Sequence, residues 1–147
     1  MKTKDLYLLI CWDSYENNPY QVKKAFTSRP LLIKYLKHNF DFANTKEVQN
    51  FIDFDDVYQA SEDCQYYVEK VPFTYNESSL RPKQFISVLV RDYGDYRESL
   101  KAFNNTILRD EYLDKLNIKC TNLYPDILVC NNNTFNKYRI ENGYLYK

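Results

Sequence analysis

The chain has 147 residues, 44% apolar, 17% aromatic and 27% charged, and its 20 Lys and Arg balance 20 Asp and Glu. Zero net charge argues against a general nucleic-acid binder, which needs a basic surface to neutralise phosphates. Two glycines, Gly94 and Gly143, leave no dinucleotide fingerprint or P-loop, and one histidine, His38, excludes the two-His metalloprotease motif and multi-His metal sites.

In chain order, Leu6 to Trp12 is a short apolar run bounded by polar residues, which predicts a buried strand. Asp13 to Pro19 carries turn residues, and Tyr20 to Thr27 predicts a second strand, antiparallel to the first. Ser28 as N-cap, Pro30 in the first turn and the spacing of Leu31, Leu32, Tyr35, Leu36 and Phe40 predict a helix over 29–40. Thr45 is a second N-cap candidate, with Val48, Phe51 and Ile52 on the face of a helix running to about residue 56. Tyr66 to Phe73 returns to strand character, and 74–83, with Asn76, two serines and Pro82, reads as a linker.

Phe85 to Val90 predicts a central strand and Asp92 to Asp95 a turn. Leu100, Phe103, Ile107 and Leu108 follow helical spacing with a break near Asn104-Asn105, and a clearer helix spans Thr106 to Leu116. Ile118 to Thr121 and Asp126 to Cys130 suggest short strands, with a loop at 131–134. Asn142-Gly143 between Phe135–Glu141 and Tyr144–Tyr146 is a two-residue turn signal, predicting a C-terminal β-hairpin. The expected fold is α+β with mainly antiparallel pairing and two helices in each half. It divides into a ββααβ lobe over 1–73, a linker over 74–83 and a βααβ-rich lobe over 84–147, with a shared core left open.

The charge is uneven. Residues 44–82 carry eight acidic and three basic side chains, and Asp53 to Asp63 holds five acids (Asp53, Asp55, Asp56, Glu62, Asp63) and no base. An anionic patch of this kind can dock on a basic groove, with Tyr58 and Tyr66 as anchors, because complementary potential speeds and orients encounter. A solvated helix end and loop is the competing reading. The run lacks calcium-loop spacing: the sixth position from Asp53 is Tyr58, where such a loop needs Gly. Cys11, Cys64, Cys120 and Cys130 show no zinc-knuckle gap and read as core residues, with a metal site that His38 could join, or redox or nucleophilic use, as the alternatives. Arg91, Asp92, Asp95, Arg97 and Glu98 cluster after the central strand, where turn and cap roles outweigh acid–base chemistry. Fifteen tyrosines suit both half-buried sheets and interfaces. No apolar run approaches the roughly 20 residues of a membrane span, and the N-terminal pattern is not that of a signal peptide. The expectation is a cytoplasmic protein with reduced cysteines.

Leu6-Tyr7-Leu8-Leu9-Ile10, a polar turn, Lys24-Ala25-Phe26-Thr27-Ser28 leading into a helix, and Tyr66-Tyr67-Val68-Glu69-Lys70-Val71-Pro72-Phe73 resemble small phage and mobile-element proteins of low-GC Gram-positive bacteria. The resemblance covers about residues 5–73 and departs from that pattern by inserting the acidic segment 44–63. It implies accessory roles with an anti-CRISPR-like profile. The expected function is thus a non-enzymatic inhibitor without metal or other cofactor, binding a host protein, with a CRISPR effector nuclease of the Cas9 type as partner and no direct nucleic-acid contact. A nucleic-acid-binding regulator and a small carboxylate- or metal-dependent hydrolase are the alternatives.

Overall fold

The computed structural model describes residues 2–16, 19–54, 56–80, 85–93, 96–116, 119–124, 127–131 and 137–146. The expectations placed on Asp55, Asp95 and Gly94, on 81–83 of the linker, on 132–134 of the loop and on the side chains of Cys120 and Cys130 lie outside the described residues.

The strands are β1 (Lys2–Asp13), β2 (Tyr20–Phe26), β3 (Tyr58–Gln59), β4 (Cys64–Tyr75), β5 (Phe85–Asp92), β6 (Arg97–Phe103), β7 (Lys119–Tyr124), β8 (Ile127–Asn131) and β9 (Lys137–Tyr146). The helices are α1 (Arg29–Asn39), α2 (Thr45–Asp53) and α3 (Thr106–Lys115), with a 3-10 turn at Glu77–Ser79. The fold is α+β. Strand order is β2-β1-β4-β6-β5-β9, and a parallel β2–β9 pairing at Ala25–Leu145 and Phe26–Tyr146 joins the two ends of that series, so the sheet curls into a ring. β8 and β7 continue outward from β9, and β3 is a short ribbon on β4. Seven of the nine described pairings are antiparallel; β2–β9 and β4–β6 are parallel.

Alternation explains how one sequence run covers both faces of β1. Leu6, Leu8 and Ile10 point into the ring with Tyr20, Val22, Val71, Phe73, Ile86, Val88, Val90 and Ala102, so residues from both ends of the chain share this cluster. Leu9 points outward with Phe26 and Val68 and is covered by Leu32 and Leu36 of α1 and Val48, Phe51 and Ile52 of α2. With both faces covered, β1 is continuously apolar from Leu6 to Trp12 and not alternating. Each fully buried large side chain contributes about 1.5–3 kcal/mol.

Local chemistry sets the helix starts. Ser28 Oγ accepts the Leu31 N–H at 3.4 Å. α2 is capped by Asn44, not Thr45: Asn44 Oδ1 accepts the Glu47 N–H at 2.9 Å, and Glu47 Oε2 accepts the Ala43 N–H at 2.9 Å, a reciprocal pair that satisfies two donors. Asn105 caps α3, accepting from Ile107 and Leu108. α2 ends at Asp53, short of residue 56.

Two expectations are corrected. The second half holds one α-helix among its described residues, because Arg97–Phe103 is a strand and not the first of two helices. The three-residue step from Leu100 to Phe103 imitates a helix face, but β6 hydrogen-bonds along β5 from Ser87–Phe103 to Asp92–Arg97. That hairpin is closed by Tyr93 N–H donating to the Tyr96 carbonyl at 3.0 Å. The C-terminal hairpin is also absent: β9 runs straight through Asn142 and Gly143, which pair with Ser87 and Ile86. Turning there would forfeit the Ser87–Asn142, Ile86–Gly143 and Phe85–Tyr144 pairs and the β2 pairing at Leu145 and Tyr146, and a local turn preference does not outweigh them.

β4 continues through Thr74 and Tyr75 into the segment read as a linker. There buried Asn104 accepts the Asn76 N–H at 3.0 Å and donates to the Asn76 carbonyl at 3.1 Å, fastening the end of β4 to the end of β6.

Candidate binding site at the mouth of the ring

β4 and β6 pair only at Phe73–Ala102 and Thr74–Phe103. Toward the start of both strands they are not laddered, and a cleft of about 490 Å³ opens between them, at the end of the ring where the β1–β2 and β5–β6 connections lie. Its wall continues the inward face: Trp12 and Gln65 are register partners, Tyr67 is opposite Ile10 and Glu69 opposite Leu8. Val57, Val68, Tyr96 and Arg97 complete it. Trp12 and Tyr67 pack on the interior cluster, so the floor is apolar and continuous with the core.

The missing β4–β6 ladder is replaced by a side chain. Glu69 Oε2 accepts the Ser99 backbone N–H at 2.8 Å and also the Ser99 hydroxyl. Arg97 faces Asp92, Nε to Oδ2 at 3.5 Å, with both side chains largely buried, so its charge is compensated within the wall. Burial, reinforced by the Glu69 carboxylate, raises the Tyr67 phenol and keeps it protonated. On the rim, Tyr96 stacks on Tyr93 with centroids 4.4 Å apart, and Tyr96 and Val57 stay 55% and 52% exposed.

The same end is acidic. Its described residues include Asp13, Glu16, Asp56, Glu62, Asp63, Glu69, Asp92 and Glu98, against Lys23, Lys24, Arg91, Arg97 and, by register, Lys137.

The residues expected to bind a partner separate into groups. Asp56 is exposed beside Val57, Glu62 is exposed in the β3–β4 turn, and Asp63 accepts from Ser14 Oγ at 3.4 Å, so these three flank the mouth. Asp53 ends α2 and is held by Arg29 in a two-point ion pair at 2.5 and 2.8 Å. That hydrogen bonding keeps its carboxyl below the usual range, and such an exposed pair adds little stability. Tyr58 and Tyr66 turn their rings edge-on to Phe40, each at 5.0 Å, within the helix-covered cluster. Asp55 lies outside the described residues. Trp12, Tyr67, Glu69 and Tyr96 carry no site signal in the sequence beyond the adjacent pair Tyr66-Tyr67, which on a strand puts one phenol on each face. Among the described residues, no three His, Cys, Asp or Glu side chains converge as a metal site, and His38 is exposed near the end of α1. No described helix is long and apolar enough to cross a membrane.

Tyr66 carries a pH signature. Burial, then the neighbouring Cys11 and Cys64 thiols, push its phenol up to about 12 from 10.0. Because the folded value exceeds the unfolded one, its contribution is intact below pH 10 and is lost as pH rises through about 12. Urea midpoints are expected to fall across that window, and less steeply in Tyr66→Phe; parallel slopes would contradict the assignment.

No family model, curated protein or solved structure matches the chain.

Proposed function

We propose that this chain is a non-enzymatic binding protein that sets the mouth of its ring against a basic surface of a protein partner. The observation carrying this reading is the coincidence of an aromatic cleft, formed by Trp12, Tyr67 and Tyr96, with the excess of carboxylates around it. Buried aromatic contacts supply most of the affinity at such interfaces, and complementary charge supplies encounter rate and orientation. An extended Lys or Arg side chain suits the site, since aromatic faces attract cations and Glu69 offers an anionic wall. The anti-CRISPR-like resemblance makes a Cas9-type nuclease, whose nucleic-acid channel is positively charged, the first partner to test. In this reading the chain inhibits by occupancy.

The test is affinity capture by the tagged protein from a nuclease-treated lysate of a low-GC Gram-positive strain expressing Cas9. One protein partner is expected, retained by the wild type and weakened at least tenfold by Asp56→Lys with Glu62→Lys, more so at low salt. Recovery of nucleic acid alone, lost on nuclease treatment, would favour a regulator. Capture unchanged by the reversals would remove the mouth from the interface.

A further inference from the structure

Cys11 on β1 and Cys64 at the start of β4 lie diagonally across one antiparallel pair: Cys11 is opposite Tyr66, and Cys64 is opposite Asp13. Register partners share a face, and so do residues two apart, so both thiols project to the same side. Their Sγ atoms are 2.9 Å apart, less than about 1 Å longer than the roughly 2.05 Å bond of a disulfide. Both cysteines are free thiols here. We propose that Cys11 and Cys64 are a site of reversible covalent modification, closing to a disulfide that ties β1 to β4 beside the mouth.

The order of steps follows from exposure. Cys64 is partly exposed and Cys11 only 2% exposed, so a small disulfide such as glutathione disulfide meets Cys64 first. The Cys64 thiolate attacks one glutathione sulfur; a Cys64–glutathione bond forms, the glutathione S–S bond breaks and one glutathione thiolate leaves. Cys11 then gives up its proton and attacks the Cys64 sulfur, forming the Cys11–Cys64 bond and expelling the second glutathione thiolate. Two protein thiols are oxidised, one glutathione disulfide is reduced to two glutathiones, and the two protons from the protein thiols end on the departing thiolates. Burial raises the Cys11 thiol to about 12, with the nearby Lys23 ammonium opposing that rise, so Cys11 stays protonated near neutral pH and its attack relies on being held against the Cys64 sulfur. Thiol–disulfide exchange depends on access, and access favours Cys64 as the entry point.

The link would have two structural effects. It would join positions 53 residues apart, enclosing β2, α1, α2 and β3 in a covalent loop and reducing the freedom of the unfolded chain. It would also fix Trp12 and Gln65, which follow the two cysteines directly and face each other across the strands in the cleft wall. The inference stands on the cysteine geometry and is independent of the binding reading.

The full chain is equilibrated with glutathione disulfide near neutral pH, alkylated, digested with trypsin and weighed. The expected product links peptide 5–23 to peptide 47–70 with a loss of two hydrogens. It should disappear with dithiothreitol and be absent in Cys64→Ser. The urea midpoint of the wild type should rise on oxidation, and that of Cys64→Ser should not. Glutathione retained on Cys64 with no linked peptide, alkylation of both cysteines after oxidation, or linkage of either to Cys120 or Cys130 would each overturn the proposal.

Discussion

Phe73→Ala is expected to lower the unfolding free energy by about 3–5 kcal/mol. Phe73 is fully buried inside the ring, stacks on Tyr75 at 5.2 Å, and lies in register with Lys4 of β1 and Ala102 of β6. It therefore sits where the two halves of the ring meet, in one of only two β4–β6 register pairs. Removing the ring leaves a void that strands laddered on both sides cannot collapse to fill. Against a typical total of about 5–15 kcal/mol, this is a large fraction of the stability. Urea unfolding measures it, with Ile107→Ala, 66% exposed on α3, as a control expected to stay within about 0.5 kcal/mol. A cost below about 1 kcal/mol for Phe73→Ala would mean that the interior is not packed as described.

Trp12→Ala and Tyr96→Ala are each expected to weaken capture of the partner by about 30-fold, equivalent to roughly 2 kcal/mol per anchor. Tyr96 is the cleaner probe. Its ring lies over half exposed on the rim, stacked only on Tyr93 among the described rings, so its loss should leave the circular dichroism spectrum and urea midpoint nearly unchanged. Trp12 is half-buried on the interior cluster, so its truncation is expected to cost stability as well as affinity. A titration in which Leu116→Ala, distant in sequence on the end of α3, binds like wild type while both anchors fail would fix the interface at the mouth. Equal affinity for Tyr96→Ala and wild type would exclude it.

Much of the first half was legible because its signals are local. Ser28, Pro30 and the Leu32–Leu36 spacing specify α1 without reference to the rest of the chain. The apolar run from Leu6 to Trp12 specified a strand, yet it could not say that Leu8 would face the ring interior while Leu9 faced two helices. The errors fell where distant partners decide. Leu100 and Phe103 have helical spacing, but β5 supplies the ladder that makes them strand residues. Asn142-Gly143 has hairpin chemistry, but the same β5 takes the residues on both sides of it. The site was hidden for a related reason. Trp12, Glu69 and Tyr96 are far apart in sequence and meet only because β4 and β6 part after two paired residues, a departure that no spacing encodes. The acidic segment was visible as composition, while the capture of Asp53 by Arg29 depended on how α1 and α2 pack.

The parallel pairing of Ala25 and Phe26 with Leu145 and Tyr146 also has a kinetic meaning. It joins segments separated by most of the sequence, so the ring cannot finish assembling until a very long loop has been ordered. Topologies dominated by such distant pairings fold on the millisecond-to-second scale, not in microseconds. Until closure, one flank of β2 and one of β9 present unpaired amides and carbonyls in the same nascent sheet. Two chains caught in that state hold complementary edges, so each could complete its neighbour's ring in place of its own. Exchange of β9 between copies is therefore the misassembly route written into this strand order, and dilution during refolding is the condition that suppresses it.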